Sequence, residues 1–228
     1  MAIDVETKDT TALSDSELSD MADVSTASAA EDGPDASSAV DVGTLSKVRD
    51  DWVLVTQATD GTKLGGYAFC TLERIGGTPC VLIGMAAIAR SAKREALLKA
   101  VIGDELRRAV LAFPDEDVLV ATRLVGPSGY AVFTDLEDVV PRPGHKPTGE
   151  ERAWARRLAK RFGAEGKVND RTFVLAGQSE TPGILDYENG SPGDDYDAFF
   201  EGVDRAQGDT LIVFGWAMAE HLAPLATR

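Results

Sequence analysis

Two apolar segments on either side of a glycine pair constrain the fold of this chain most strongly. Residues 67–74 alternate incompletely between apolar and polar side chains, and residues 80–88 form an almost continuous apolar run. Gly76 and Gly77 lie between them and suit a tight β-hairpin turn. A bounded apolar run of this kind is typical of a strand that is covered on both faces. The pattern therefore predicts a hairpin inside a sheet that has helices packed against it.

The segments after the hairpin predict further helices and strands. Residues 92–113 carry apolar side chains at helical spacing, with Ser91 as the expected N-cap, and a strand follows them. A short helix is predicted over residues 130–136, and Thr148 begins a capping box that opens another helix. This order predicts an α/β (α+β) fold with a mixed, mostly antiparallel central sheet that is flanked by helices.

The two cysteines of the chain lie in the two hairpin strands. If the two glycines form the turn, Cys70 lies opposite Ile83 and Cys80 lies opposite Glu73. The two thiols then point to opposite faces of the sheet and cannot form a disulfide. Free, half-buried thiols indicate a reducing compartment, so we expect a cytoplasmic protein.

Residues 1–45 differ in composition from the remainder of the chain. They contain eleven acidic residues, one basic residue and no aromatic residue. A segment of this kind buries too little apolar surface to offset its ordering entropy. We therefore expect a disordered acidic tail in front of a single domain over residues 46–228. The tail either binds a basic protein partner or is a solvated segment without one.

Charge, hydropathy and missing motifs exclude several functional classes. A net charge of −15 argues against nucleic-acid binding, which depends on basic surface. The chain contains no apolar run of about 18 residues for a membrane span, and its N-terminus resembles no signal peptide. His145 and His221 have no Cys or His at metal-ligand spacing, so we expect no metal site. Glycine motifs for nucleotide binding are also absent from the sequence.

The order of the elements resembles that of the GNAT superfamily of acyl-CoA N-acyltransferases. The resemblance is carried by residues 66–74, 81–90 and 96–98 and by the strand and helix that follow them, up to Pro141. It covers residues 50–141 and extends loosely over the remainder. The resemblance implies a GNAT-like fold that transfers an acyl group from acetyl-CoA or another acyl-CoA to an amine. That amine would belong to a small molecule or to a protein.

The resemblance also implies a cofactor-binding segment at the end of the second hairpin strand. In the family, this strand exposes backbone groups to the pantetheine arm, and the following turn surrounds the pyrophosphate. Main-chain N–H groups and the positive end of a helix dipole favour phosphate at such a turn. The cofactor-binding residues implied for this chain are Met85, Ala86, Ala87, Ile88, Arg90, Ser91, Lys93 and Arg94.

The turn departs from the family pattern because it lacks glycine. There is none between Gly84 and Gly103, and if Arg90 is the first motif position, Lys93 and Glu95 stand where the family has glycines. Side chains at these positions obstruct a close backbone approach. Two interpretations remain: the cations of the turn bind phosphate by charge, or the segment is an ordinary helix start with solvated charges.

Candidate catalytic residues are Glu73, as a base for the acceptor amine, and Tyr130, as an acid for the leaving thiolate. The alternative is that Glu73 is a solvated strand residue and Tyr130 a packing residue. An acidic stretch over residues 186–204 either attracts a cationic acceptor or is a solvated loop. The sequence thus leaves three functions open: an acyl-CoA N-acyltransferase, a catalytically inactive GNAT-like binding or scaffold protein, or a small-molecule-binding domain of another α/β type.

Overall fold

The computed structural model describes residues 3–28, 40–177, 193–223 and 225. The strands are β1 Ile3–Asp9, β2 Leu54–Asp60, β3 Lys63–Ile75, β4 Thr78–Ile88, β5 Val118–Leu124, β6 Glu137–Val140, β7 Val174–Leu175 and β8 Thr210–Ala217. The α-helices are α1 Asp15–Ser28, α2 Val42–Asp51, α3 Arg94–Ala112, α4 Gly149–Arg161, α5 Asp194–Asp197 and α6 Ala219–Leu222. The short helix expected over residues 130–136 is a 3-10 helix, Pro127–Phe133.

The strands form a single sheet in the order β1-β2-β3-β4-β5-β8-β6, and β7 pairs with β8. Among the described strands, β4 and β5 form a parallel pair and the other pairs are antiparallel. The predicted mixed, mostly antiparallel sheet with flanking helices is confirmed. In the described part of the chain, no helix combines the length and the apolar character that a membrane span requires.

The hairpin β3–β4 forms in the register that the sequence predicts. Cys70 pairs with Ile83, Glu73 pairs with Cys80, and both cysteines are buried and free. Gly76 and Gly77 have φ angles of 60° and 92°, which lie in the left-handed region that favours glycine. The two glycines thus fix the turn, and the turn fixes which side chains face each side of the sheet.

Helices cover both faces of this hairpin. Glu105 of α3 interacts with Cys70, and Ser25 of α1 interacts with Tyr67. Cys70 and Tyr67 are three residues apart on one strand, so they point to opposite faces of the sheet. Helices α1 and α3 therefore pack on opposite faces, which explains why the described residues of β4 after Thr78 are buried throughout.

The structure corrects the expectation for the N-terminal segment. Residues 3–28 and 40–45 are part of the folded domain, and residues 29–39 lie outside the described residues. Strand β1 pairs with β2 along its whole length, from Ile3 opposite Asp60 to Asp9 opposite Leu54. Helix α1 buries an apolar stripe composed of Leu18, Met21 and Val24. These few apolar residues recur on one face of the helix. The average composition of residues 1–45 is polar and does not reveal this spacing.

The start of α3 also differs from the prediction. Its N-cap residue is Lys93, and no side chain caps the helix among the described residues. Ser91 lies two residues earlier, where its hydroxyl accepts a hydrogen bond of 3.2 Å from the main-chain N–H of Lys93. The capping box of α4 is confirmed, because Thr148 and Glu151 bond each other's main-chain N–H groups.

Candidate functional site

The neighbouring strands β4 and β5 diverge within the sheet. Their parallel pairing runs from Cys80 opposite Leu119 to Ile83 opposite Thr122 and then stops, although β4 continues for five more residues. The register between β3 and β4 also shifts at this point, because Phe69 pairs with Met85 while Cys70 pairs with Ile83. Gly84 is therefore the extra residue of a β-bulge. Bulge and divergence coincide at the centre of the sheet.

The four strand residues implied to bind pantetheine form one side of this opening. Met85, Ala86, Ala87 and Ile88 pair with β3 on one edge and face the unpaired gap to β5 on the other. Alternate main-chain groups of a strand point to each edge, so the groups of residues 85–88 on this edge have no β5 partner among the described residues, although all four residues are buried. The site that the resemblance implied on β4 is thus at an unpaired strand edge.

Two side chains from β5 occupy the base of the opening, and the sequence analysis did not identify them. Thr122 Oγ1 donates a hydrogen bond of 2.8 Å to the carbonyl of Ile83, and Arg123 donates one of 3.3 Å to the carbonyl of Gly84. Arg123 is buried, and this burial lowers its pKa to about 10. The sequence signal that could have identified this position is an arginine within a mostly apolar strand.

An aromatic cluster covers the bulge on the face of the sheet where α4 packs. A Cβ atom on Gly84 would lie 1.9 Å from Cε2 of Trp52, so the indole rests directly on the strand backbone. Trp52 contacts Phe162 at 6.2 Å between ring centroids, and the guanidinium of Arg161 lies 5.8 Å from the Trp52 ring. Trp52 precedes β2 and Phe162 follows α4, so only the tertiary fold brings them to the bulge.

The turn after β4 meets the C-terminal end of α1. The main-chain N–H of Arg90 donates a hydrogen bond of 3.2 Å to the carbonyl of Ala27, and its Nε donates one of 3.3 Å to the carbonyl of Ser28. A cation at this position complements the negative end of the helix dipole. Arg90 therefore has a structural role at the end of α1.

Lys93 and the start of α3 are the parts of the turn that fit a phosphate group best. Lys93 forms a salt bridge of 2.6 Å with Asp60, and both side chains are partly exposed. Such a pair contributes about 0–1 kcal/mol and is readily exchanged for another anion. Glu95 and Ala96, in the first turn of the helix, are exposed to solvent. The uncapped helix start thus offers N–H donors beside a cation.

The remaining cation of the turn is less accessible. Nη2 of Arg94 is buried, which directs this end of the side chain into the protein rather than towards a ligand in solvent. Arg94 thus points into the protein interior, and Arg90 contacts α1. Lys93 is therefore the cation of the turn that is best placed to bind an anion from solvent.

The two candidate catalytic side chains each have a structural contact. Glu73 forms an ion pair with Arg161 at the end of α4. Tyr130 is buried, donates a hydrogen bond of 3.0 Å to the carbonyl of Pro141, and stacks edge-on against Tyr196. Burial raises the pKa of the Tyr130 hydroxyl well above its usual range. The catalytic roles of Glu73 and Tyr130 stay predictions.

The acidic stretch expected to attract a cationic acceptor is described only from residue 193 onwards, and residues 186–192 lie outside the described part of the chain. In the described portion, Asp204 accepts hydrogen bonds from the main-chain N–H groups of Ala206 and Gln207. This carboxylate therefore caps a short 3-10 helix.

No protein-family model matches the sequence, and no curated protein matches it either. Solved structures match the fold at low identity. A putative GNAT-family acetyltransferase from Desulfovibrio desulfuricans is 13% identical with a TM-score of 0.41, and the match covers 93% of this chain and 98% of that one.

Two further solved structures show the same level of similarity. A GNAT-family acetyltransferase from Brucella melitensis in complex with acetyl-CoA is 13% identical with a TM-score of 0.37, over 57% of this chain and 82% of that one. The ribosomal-protein-S18-alanine N-acetyltransferase from Escherichia coli is 14% identical with a TM-score of 0.37, over 64% of this chain and 86% of that one.

The hairpin, the long helix, the following strand and the short helix expected from the GNAT resemblance are all present in this chain. Identities and TM-scores as low as these do not place the chain in a family. The function of the chain is therefore inferred from its own geometry.

Proposed function

We propose that the chain binds an acyl-CoA in the opening between β4 and β5 and transfers its acyl group to an amine. The observation that carries the proposal is the divergence of the two strands after Ile83 and Thr122, at a bulge in the middle of the sheet. This geometry leaves one edge of the buried residues 85–88 without a β5 partner, and the amide groups of a pantetheine arm would pair there once the two strands separate around it. An extended ligand can pair there as an added strand would.

The turn after β4 supports the proposal at the other end of the ligand. Lys93 and the N–H groups at the start of α3 would hold the pyrophosphate by charge and by hydrogen bonds. The ammonium of Lys93 would exchange Asp60 for the phosphate oxygens, because its present ion pair is partly exposed. In this proposal the positive charge of Lys93 holds the pyrophosphate, whereas glycines at the turn would hold it by letting it approach the backbone closely.

The transfer forms a C–N bond and breaks a C–S bond. The acceptor amine loses one proton, and the sulfur of the departing CoA gains one and leaves as a thiol. The described residues contribute by holding the thioester at the strand edge, next to the buried guanidinium of Arg123. Positioning of this kind lowers the barrier without a dedicated acid. We propose an amine of a small molecule or of a protein as the acceptor, and we propose the reducing cytoplasm as the location; the two free cysteines support the location.

A second function, that of a catalytically inactive binding or scaffold protein, is favoured by the contacts of the candidate catalytic side chains. Glu73 is held by Arg161, and Tyr130 is held by the carbonyl of Pro141. A base and an acid with fixed structural partners are poorly placed for proton transfer. Release of free thiol from acyl-CoA in the presence of amines would distinguish an enzyme from a binding module.

Calorimetric titration of acetyl-CoA and longer acyl-CoAs into the full chain tests the binding proposal. We expect micromolar affinity, or about −8 kcal/mol, and at least tenfold weaker binding for Lys93→Glu. Lys99→Glu is the matched control, because Lys99 is an exposed cation on the same helix that pairs only at the surface with Glu95. An equal loss in both variants would contradict a specific role for Lys93, and no binding by the unmodified chain would favour the scaffold function.

A further inference from the structure

A cavity lies away from the gap between β4 and β5, between α3, the end of the 3-10 helix and the C-terminal segment. Its volume is about 330 Å³. The wall consists mainly of aliphatic side chains from these three elements. They are Leu98, Ile102, Leu106, Val132, Leu136, Ala217, Leu222 and Leu225. The volume falls within the range of about 300–1,000 Å³ that is typical of small-molecule sites.

Gly103 lies in the wall of this cavity, in the middle of α3. Glycine inside a helix is destabilising relative to alanine, because its backbone loses more conformational freedom. Apart from the backbone of α3 itself, a Cβ atom at this position would meet no atom of the described residues within 4 Å, so packing against that part of the protein does not exclude a side chain here. Neither helix propensity nor internal packing therefore accounts for the glycine. Space for a ligand against the helix backbone does account for it.

We infer that this cavity, which we call the Gly103 cavity, is a binding site for a small uncharged apolar molecule. The aliphatic wall favours such a ligand, since an apolar cavity of about 150 Å³ already accepts benzene. The larger volume here fits a ring with a short alkyl chain. The polar residues of the lining are Lys99, Thr134, Asp135 and His221, and they include both a cation and an anion, so the lining has no single charge that would select a charged ligand.

The Gly103 cavity does not depend on the acyl-CoA proposal. Leu98 is the first residue of α3 in its wall, and the wall extends along the helix to Leu106, away from the turn at residues 90–94. The phosphate-binding residues proposed above are absent from the wall. The two sites can therefore be tested separately.

The test is a titration of the full chain with n-butylbenzene, followed through the backbone amide resonance of Gly103. We expect a saturable shift of this resonance, and at least tenfold weaker binding of the charged analogue 4-phenylbutyrate. The experiment uses the unmodified chain, so its outcome does not depend on whether a variant folds. Absence of a shift at Gly103 with n-butylbenzene would overturn the proposal.

Two substitutions at the same position sharpen the test. Gly103→Leu places a side chain in the cavity and is expected to weaken n-butylbenzene binding at least tenfold, and Gly103→Ala, which fills less of the space against the helix backbone, is expected to weaken binding to a smaller extent. Both residues are better helix formers than glycine, so both variants should unfold at a higher temperature than the unmodified chain. Unchanged binding in Gly103→Leu would overturn the assignment, as would displacement of n-butylbenzene by acetyl-CoA, which would make the cavity part of the first site.

Discussion

Glu105 is the most unusual single residue of the fold because its carboxyl group is completely buried between α3 and the sheet. Among the described residues, neither of its oxygens has a hydrogen-bond partner of normal geometry. Burial raises its pKa to about 8; the thiol of Cys70 acts in the opposite direction, and the charge of Asp104 adds to the rise. The carboxyl group is therefore protonated in the folded protein at neutral pH, because a buried carboxylate would lose its hydration.

The raised pKa of Glu105 predicts that the protein loses stability as the pH rises. In the unfolded chain this carboxyl ionises near its ordinary pKa, so between about pH 5 and pH 8 only the folded state holds the proton. The free energy of unfolding then falls by about 1.4 kcal/mol per pH unit over this range. Urea unfolding at pH 5 and pH 8 measures the effect. Glu105→Gln should remove most of it, and Glu95→Gln, at an exposed position of the same helix, should not.

Gly84 and Trp52 give a second prediction at the scale of the residue. Gly84→Ala places a Cβ atom 1.9 Å from the indole, so the ring or the strand must move. We expect a loss of about 1–3 kcal/mol, the usual effect of overpacking a buried site. Urea unfolding measures it, and Gly103→Ala, where the added methyl group meets no neighbour, should change stability in the opposite direction. A neutral Gly84→Ala would contradict the tight contact.

At the scale of the element, β1 and α1 form an integral part of the domain. Met21→Ala removes a fully buried side chain from the interface between α1 and the sheet. We expect the free energy of unfolding to fall by about 2–5 kcal/mol. Ser19→Ala, on the exposed side of the same helix, is the control and should stay within about 0.5 kcal/mol of the unmodified chain. If Met21→Ala were equally neutral, α1 would not be packed as described.

The elements that the sequence predicted best are those specified by local signals. The β3–β4 hairpin register follows from two glycines and one apolar run, and the capping box of α4 follows from Thr148 and Glu151. The N-terminal elements have no such local signal. Leu18, Met21 and Val24 are spaced to lie on one helical face. The residues around them are mostly acidic or small, and this composition led to the prediction of a disordered segment.

The candidate site was predictable only where it follows one strand. Residues 85–88 and the turn after them are adjacent in sequence, so the resemblance could locate them. Trp52, Arg123 and Phe162 meet at Gly84 from three different elements, and no spacing in the sequence reports that contact. The ion pair between Glu73 and Arg161 could not be predicted either, because the two residues belong to elements that are distant in sequence.

At the scale of the whole molecule, the acidic charge is spread over folded elements rather than concentrated in a tail. Seven of the eleven acidic residues among residues 1–45 lie on β1 and α1. A basic partner would therefore meet a structured acidic surface, with α1 and β1 held against the sheet. Helix α1 also holds Arg90 through the carbonyls of Ala27 and Ser28, so the N-terminal segment supports the turn that is proposed to bind phosphate.

The most direct test of the central claim is the backbone amide spectrum of the full chain with and without acetyl-CoA. If the opening between β4 and β5 binds the ligand, the amides of Met85, Ala86, Ala87 and Ile88 should shift together with those of Lys93 and Glu95. The amides of Val81 and Leu82, which lie on the same strand where it is still paired with β5, should move little. Shifts absent from residues 85–88 at saturating acetyl-CoA would contradict the account.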